Sequence, residues 1–479
     1  MNPWEWLLVF GAVALVLARW LPPRARRTVT LGAPAVVAVP GAVLGVLGMR
    51  WQMVPVLAGA AAALPFALAP LLRRRARRAP WWLALPGSVV CLALIAAGSG
   101  AAWALPTPVF PEPTGRFAVG TSVLELTDPE RPETATAAPE DRRTVVAQFW
   151  YPARQSPAGS RRAPYLGRTE QEARVVSGAL AEYSGLPGML LDGLPRARTH
   201  AVYDAPAAGG GERFPVVLFS PGLGGVRTQN TAWAEELASH GYVVVGLDHP
   251  YDSAAVVLAD GRTVRTEVSA TGDDAEDERR AARWTAVRAA DLSFVRARLE
   301  RADGGAVPGP LAGRLDTGRV AAAGHSLGGG AALQAARQDP GFAAVIDLDG
   351  FPHDPDPQPF PQPVLALTQA IGPDTDPDYL PHLTRVLGLS RATSYRLTVP
   401  GAAHLTFTDA PLYLPPLPSL VGSPDRTKGS RITAAASLVF LDGTLRNHPA
   451  GPGSQGSPAG PATALAAYGT LVVHPKSGV

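Results

Sequence analysis

The chain has 479 residues, 46% hydrophobic and 17% charged, which is enough apolar side chain for a sizeable core and excludes a chain disordered throughout. Residues 1–105 carry ten Arg against the single Glu5, and the rest carries 33 basic against 39 acidic residues, so the basicity is local and a nucleic-acid partner is excluded. One cysteine, Cys91, rules out a disulfide framework and a cysteine-ligated zinc site.

Four apolar stretches, residues 6–21, 29–49, 51–72 and 81–105, are each near the length that crosses about 30 Å of hydrocarbon as a helix. They predict a membrane domain of about four transmembrane helices over residues 1–105. A cleaved signal peptide is the alternative for the first stretch. However, residues 1–5 contain no basic residue, and no small-residue cleavage site precedes the arginines at 24–27. Arg24, Arg26 and Arg27 lie between spans one and two, and Arg73, Arg74, Arg75, Arg77 and Arg78 between spans three and four, whereas the second connection holds only Arg50. Cytoplasmic loops retain Lys and Arg, so both Arg-rich loops are expected inside and everything after Leu105 outside the cytoplasm. Trp4, Trp6, Trp51, Trp81, Trp82 and Trp103 fall where interfacial belts place them.

A proline-rich exit at residues 106–113 leads into a segment, 106–447, in which short apolar runs alternate with helical patterns, the signature of an α/β domain. Runs at 144–150, 215–219, 243–247, 320–323, 343–348, 364–367 and 394–399 read as buried strands of a mostly parallel sheet. Residues 274–301 read as a helix with Trp284, Val287, Leu292, Val295 and Leu299 packed along one face. Residues 448–479, rich in Gly, Pro and Ser, are expected to be a flexible tail.

The segment Gly324-His325-Ser326-Leu327-Gly328 follows one predicted strand and precedes an Ala-rich helix over residues 329–337. In that setting a G-x-S-x-G match becomes a sharp strand-to-helix turn that exposes the serine hydroxyl above the sheet. The hydroxyl needs a base, and the base needs an acid, in the chain order Ser, acid, His. The strand after the elbow helix ends in Ile346-Asp347-Leu348-Asp349-Gly350, offering two acids, of which Asp349 is nearer the loop edge and Asp347 is the alternative. Among later histidines, His353 is too near the acid, His382 lies in a predicted helix, and His448 and His474 lie in the tail. His404, in the loop after strand 394–399, remains as base. An oxyanion needs two backbone N–H donors. Leu327, after the serine, supplies one, and Leu223 in Ser220-Pro221-Gly222-Leu223-Gly224-Gly225 suits the other.

These residues resemble a family. Pro113-Thr114-Gly115, Val119-Gly120-Thr121, Leu218-Phe219-Ser220-Pro221-Gly222-Leu223-Gly224 with Arg227-Thr228, Ala238-Ser239-His240-Gly241-Tyr242, Asp248-His249, the elbow, Asp349 and His404 look like the platelet-activating factor acetylhydrolase family in its bacterial branch, over roughly residues 113–414. The resemblance implies an α/β-hydrolase fold and calcium-independent hydrolysis of short or oxidised acyl esters of phospholipids. It also implies Ser326, Asp349 and His404 as triad, Leu223 and Leu327 as oxyanion donors, and a lipid or small ester as substrate. Two features depart from the family pattern: Pro221 stands where the animal enzymes have histidine, and the membrane block has no counterpart. The Gly-His-Ser-Leu-Gly-Gly-Gly run is also similar to bacterial cutinases and polyester hydrolases, so a cutinase-like or broad carboxylesterase is the alternative activity. A membrane protein whose hydrolase-like domain only senses or binds a ligand is the alternative of another class.

No cofactor and no metal are expected. Asp374-x-Asp376-x-Asp378 imitates a calcium loop, but Tyr379 replaces the needed Gly and Arg385 stands at the bidentate acid. No Gly-rich phosphate loop occurs in a strand-to-helix setting. The acidic run 273–278 reads as a solvated helix start, His249 as a cleft or structural histidine, and residues 183–194 as a lid or an ordinary surface segment.

Overall fold

The computed structural model describes residues 1–72, 81–157, 159–302, 309–372, 376–446 and 460–476, in two compact units, Met1–Pro106 and Thr107–Val479. The first unit holds the four expected helices: α1 (Pro3–Leu17), α2 (Pro23–Leu47), α3 (Met53–Leu72) and α4 (Trp81–Ala104). Three stretches, Pro3–Trp20, Arg24–Leu47 and Ala84–Ala104, are long and apolar enough to cross a membrane, and the apolar part of α3, Met53–Leu68, is shorter. Asn2 caps α1 by accepting the Glu5 N–H at 2.9 Å, while the Glu5 carboxylate accepts the Asn2 N–H at 2.9 Å.

Leu8, Ala12, Leu15, Val56, Ala60 and Ile95 form the core of this unit. Phe10, Leu31, Val46, Phe66, Trp82 and Val90 stay exposed, the reverse of what a water-soluble helix surface tolerates in bulk. Arg50 ties three helix ends together, reaching Glu5 at 3.5 Å and the Leu105 carbonyl at 2.6 Å. The start of α1, the α2–α3 connection and the end of α4 therefore share one side. The arginines at 73–78 lie outside the described residues.

The second unit is built on an 11-stranded sheet. In chain order its strands are β1 (Ala118–Pro132), β2 (Arg142–Ala153), β3 (Arg162–Pro164), β4 (Arg198–Tyr203), β5 (Phe214–Ser220), β6 (Val243–Asp248), β9 (Leu315–His325), β10 (Phe342–Leu348), β11 (Val364–Thr368), β12 (Ser394–Thr398) and β13 (Thr470–His474), while β7 (Ala255–Val257) and β8 (Thr263–Arg265) form a separate hairpin. The spatial order is β13-β12-β11-β10-β9-β5-β6-β2-β1-β4-β3. The run from β12 to β6 is parallel throughout, and β2 and β13 pair antiparallel to it. Parallel strands covered on both faces must be apolar on both, and β5 shows it: Val216 and Leu218 enter one core, Val217 and Phe219 the other. The first core is closed by α7 (Asp274–Ala302), α8 (Leu327–Gln338) and α9 (Tyr379–Leu387), and the second by α6 (Thr231–Ser239), α11 (Lys428–Leu445) and α12 (Pro461–Ala466). Helix α5 (Glu170–Tyr183) and the short α10 (Pro418–Val421) lie in connections.

Two sequence expectations are corrected, and an open one is decided. The tail expected to be flexible from 448 contributes α12 and β13, whose Thr470–His474 pairs along all of β12; the β-branched and apolar run Leu471-Val472-Val473 after the Gly/Pro-rich stretch was the signal. In α7 the buried face runs through Arg288, Asp291, Leu292, Val295 and Leu299, while Val287 is 38% exposed, because two charged residues find buried partners there. Of the two readings for residues 183–194, the structure shows the packed segment, with Leu191 and Leu194 in a side cluster with Phe110 and Tyr165.

Glu235, on α6, is fully buried and accepts the Ala201 N–H of β4 at 2.7 Å; burial pushes its carboxyl up to about 7. A carboxyl raised on folding stabilises fully below its unfolded pKa, and that contribution is lost as pH rises through the folded value. The shift is worth on the order of 3 kcal/mol. Glu235→Gln, which keeps a carbonyl for Ala201, is therefore expected to raise the thermal midpoint relative to wild type at pH 8 more than at pH 5. Equal shifts at both pH values would contradict it.

Candidate active site

Ser326 sits between the end of β9 and the start of α8 with φ 56° and ψ −125°, a left-handed backbone that a non-glycine residue adopts only under constraint. Glycines make the turn fit. A Cβ at Gly324 would strike the Gly328 carbonyl, and one at Gly328 would strike the Ser220 carbonyl of the neighbouring strand. The Ser326 N–H donates to the Leu348 carbonyl at 3.0 Å, tying the elbow to β10. Leu327 opens α8, so its N–H has no partner within the helix.

Asp349 follows β10, also at positive φ (53°), with its carboxylate turned into the site. Its Oδ1 accepts the Gln369 N–H at 2.8 Å and the Tyr379 hydroxyl at 3.1 Å, and its Oδ2 lies 2.7 Å from His404 Nδ1. Asp349 is buried, while the His404 side chain is 42% exposed. With Nδ1–H donating to Asp349, the neutral imidazole leaves Nε2 as an acceptor. Asp347, the alternative acid, points instead at the elbow: its Oδ1 accepts the Gly350 N–H at 2.9 Å. Burial first, and the charge of Asp349 second, raise its carboxyl well above the usual range.

Ser326, Leu327, Asp349, His404 and Leu223 all line one cavity of about 730 Å³. Trp284, Phe351 and Tyr379 contribute its aromatic wall, and Asp274, Asp277, Glu278, Asp376 and Asp378 give it an acidic mouth. The acidic helix start is thus part of the cavity rim rather than a plain solvated turn, and Trp284 is a lining residue rather than core packing. Asp374 lies outside the described residues. Among the described residues no group of three His, Cys, Asp or Glu is arranged to hold a metal ion.

Several residues had no role assigned from sequence. His325 lies tilted against His404 with ring centroids 4.5 Å apart, and its Nε2 lies 3.0 Å from the His404 carbonyl. Its Nδ1 lies 2.8 Å from Gln229 Nε2, and Gln229 Oε1 in turn accepts the Gly222 N–H at 3.1 Å. Burial, and secondarily His404, depress the His325 pKa well below the usual imidazole value. The neutral ring then donates from Nε2 and accepts at Nδ1, linking base loop, elbow and glycine loop in one chain of bonds. The pattern offered only its place inside G-H-S-L-G. Arg227 anchors the far end of the same loop, bonded to Asp248 and to Glu172 at 2.8 Å.

A second Ser-His-Asp array lies beneath the first. Ser220 Oγ is 2.9 Å from His249 Nε2, and His249 Nδ1 is 2.7 Å from Asp291 Oδ2. All three are fully buried, so this array meets no substrate; it fixes the end of β5. His249 is therefore structural.

A parallel sheet with helices on both faces, a serine on a strained strand-to-helix turn, and an Asp–His pair after later strands define an α/β hydrolase. The family model for platelet-activating factor acetylhydrolase, isoform II, matches residues 105–290 and 309–450, and the chain belongs to that family. It is 29% identical over 281 residues to a probable 1-alkyl-2-acetylglycerophosphocholine esterase of Arthroderma benhamiae, covering 55% of this chain and 64% of that protein. It is 30% identical over 157 residues to the platelet-activating factor acetylhydrolase of Cavia porcellus, covering 29% of this chain and 35% of that protein. The chain thus spans less than two thirds of either relative's length. A ferulic acid esterase from Streptomyces cinnamoneus matches with a TM-score of 0.58 at 28% identity, covering 74% of this chain and 98% of that one.

Proposed function

We propose that the protein is a membrane-anchored serine ester hydrolase acting on short or oxidised acyl esters of phospholipids. The observation that carries the reading is the 2.7 Å bond between His404 and Asp349 in a cavity that also holds Ser326. In this mechanism Ser326 Oγ attacks the ester carbonyl carbon while His404 Nε2 takes the hydroxyl proton, and Asp349 holds the ring and stabilises the imidazolium. The Leu223 and Leu327 N–H groups receive the oxyanion. Collapse expels the alcohol, which takes the proton from His404, and a water activated by His404 hydrolyses the acyl-Ser326.

The acidic mouth repels anionic esters and admits zwitterionic phosphocholine esters. The likeness to a ferulic acid esterase, together with the aromatic wall, supports a second reading as a carboxylesterase for aromatic acyl groups. One panel separates them: 2-acetyl phosphocholine lipids, p-nitrophenyl esters, feruloyl esters, triglycerides and polyester. The highest kcat/KM is expected on the short-acyl phospholipid, and a feruloyl ester ahead by tenfold or more would replace the first reading with the second.

The outward apolar side chains of α1, α2 and α4 and the shared side of Glu5, Arg50 and Leu105 support a bilayer-embedded first unit with the Arg-rich α1–α2 connection on the opposite side. The hydrolase unit then lies outside the cytoplasm, where it meets lipid at the interface. Because β13 completes the sheet, a reporter belongs after Val479: alkaline phosphatase is expected to be active there and green fluorescent protein dark. The reverse pattern would place the hydrolase in the cytoplasm.

A further inference from the structure

Arg288 stands in the middle of α7, where a surface helix would carry a solvated charge, and it is fully buried. Its Nε and one terminal nitrogen fork onto Asp252 at 2.6 and 2.5 Å. Two consecutive carbonyls of the glycine loop are gripped as well: Nη1 donates to that of Pro221, and the same Nη2 that reaches Asp252 donates to that of Gly222 at 3.0 Å. A buried charge with this many partners is costly to assemble, so a purely space-filling role is better served by an apolar side chain.

The bond to Gly222 has a stereochemical consequence. In a planar trans peptide the carbonyl and the following N–H point in opposite directions. The Gly222 carbonyl is drawn to Arg288, away from the cavity, so the Leu223 N–H of the same peptide is turned the other way, and Leu223 lines the cavity with Ser326. We propose that Arg288, held by Asp252, is a positioning residue that fixes the Gly222–Leu223 peptide with its N–H aimed at the oxyanion. The proposal rests on the reading of Leu223 as an oxyanion donor.

The surroundings are built for the same purpose. One helical turn on from Arg288, Asp291 holds His249 and through it Ser220, so α7 grips the end of β5 and the following loop at two points. Asp291 is itself held ionised, well below the usual carboxylate range, beside Arg143 and His249. On the other side of the loop, Gln229 takes the Gly222 N–H and the Gly225 N–H closes onto the Gly222 carbonyl at 2.8 Å. Gly222 is thereby fixed at both its N–H and its carbonyl. Rotation of the 222–223 peptide would offer the developing oxyanion a carbonyl oxygen in place of a donor.

The test uses the full chain in detergent with two variants. Arg288→Lys keeps a cation against Asp252 but loses the fork, and the pair Arg288→Met with Asp252→Leu replaces the ion pair by apolar side chains of similar size. Three quantities are measured: kcat/KM for p-nitrophenyl acetate, Ki for a trifluoromethyl ketone that forms an oxyanion adduct, and Ki for the unfluorinated ketone that does not. One oxyanion donor is worth about 10²–10³ in rate, and partial misalignment is expected to cost about 10- to 100-fold. Rate and trifluoromethyl ketone affinity should fall by the same factor in both variants, while unfluorinated ketone affinity stays at the wild-type value. A merely structural role would weaken both ketones together and overturns the proposal. So does a folded Arg288→Lys with wild-type rate and trifluoromethyl ketone affinity.

A third protein separates the two readings: the Leu223 amide N–H is replaced by an ester oxygen through incorporation of the corresponding hydroxy acid. Loss of rate there with none in Arg288→Lys refutes the positioning role and leaves the oxyanion reading standing. No loss there, whatever Arg288→Lys does, refutes the donor role of Leu223 and the proposal with it.

Discussion

Ser326→Ala and His404→Ala are each expected to lower kcat on the best ester substrate by at least about 10³-fold, with the fold intact. Both side chains face the cavity rather than the core, so neither truncation opens a void in the sheet packing. The two losses should not add: the double variant is expected to be about as slow as either single one, because nucleophile and base act as a unit. A single variant within about tenfold of wild type would contradict the assignment of that residue.

Asp349→Asn should be nearly as damaging, on the order of 10⁴ in kcat, by the tautomer argument. The amide still accepts from the Gln369 N–H and Tyr379, but its NH₂ then faces His404 Nδ1. The ring responds by moving its proton to Nε2, the nitrogen that must accept from Ser326. Asp347→Asn supplies the contrast. Its Oδ1 accepts the Gly350 N–H, an acceptor that an asparagine oxygen reproduces, and burial already disfavours the charge that the substitution removes, so activity close to wild type is expected. Steady-state kinetics on the two purified variants settle the order, and the opposite ranking would make Asp347 the acid.

The seven buried strands proposed from apolar runs coincide with β2, β5, β6, β9, β10, β11 and β12, the last run passing the end of its strand by one residue, because a strand covered on both faces has no freedom to be polar. The strands missed, β1, β4 and β13 among them, are edge or half-exposed ones whose polar faces dilute the pattern. The elbow was legible because its glycines are demanded by backbone collisions, and His404 because it follows Asp349 in chain order and stands in the loop after a predicted strand. Arg288 and Asp291 were illegible for the opposite reason. Their burial depends on partners 36 to 148 residues away in sequence, such as Asp252 for Arg288 and Arg143 for Asp291, and a charged residue on a helix otherwise reads as solvated. Gln229 and His325 likewise act only through the loops that the fold brings together.

The most direct test of a serine mechanism is to trap the acyl-enzyme. Wild-type protein mixed with p-nitrophenyl acetate, quenched in acid within the burst and digested, should carry one acetyl group on the peptide containing Ser326. His404→Ala should carry none on the same timescale. An acetyl group on another residue, or full turnover with Ser326 never acylated, would contradict nucleophilic catalysis by this serine.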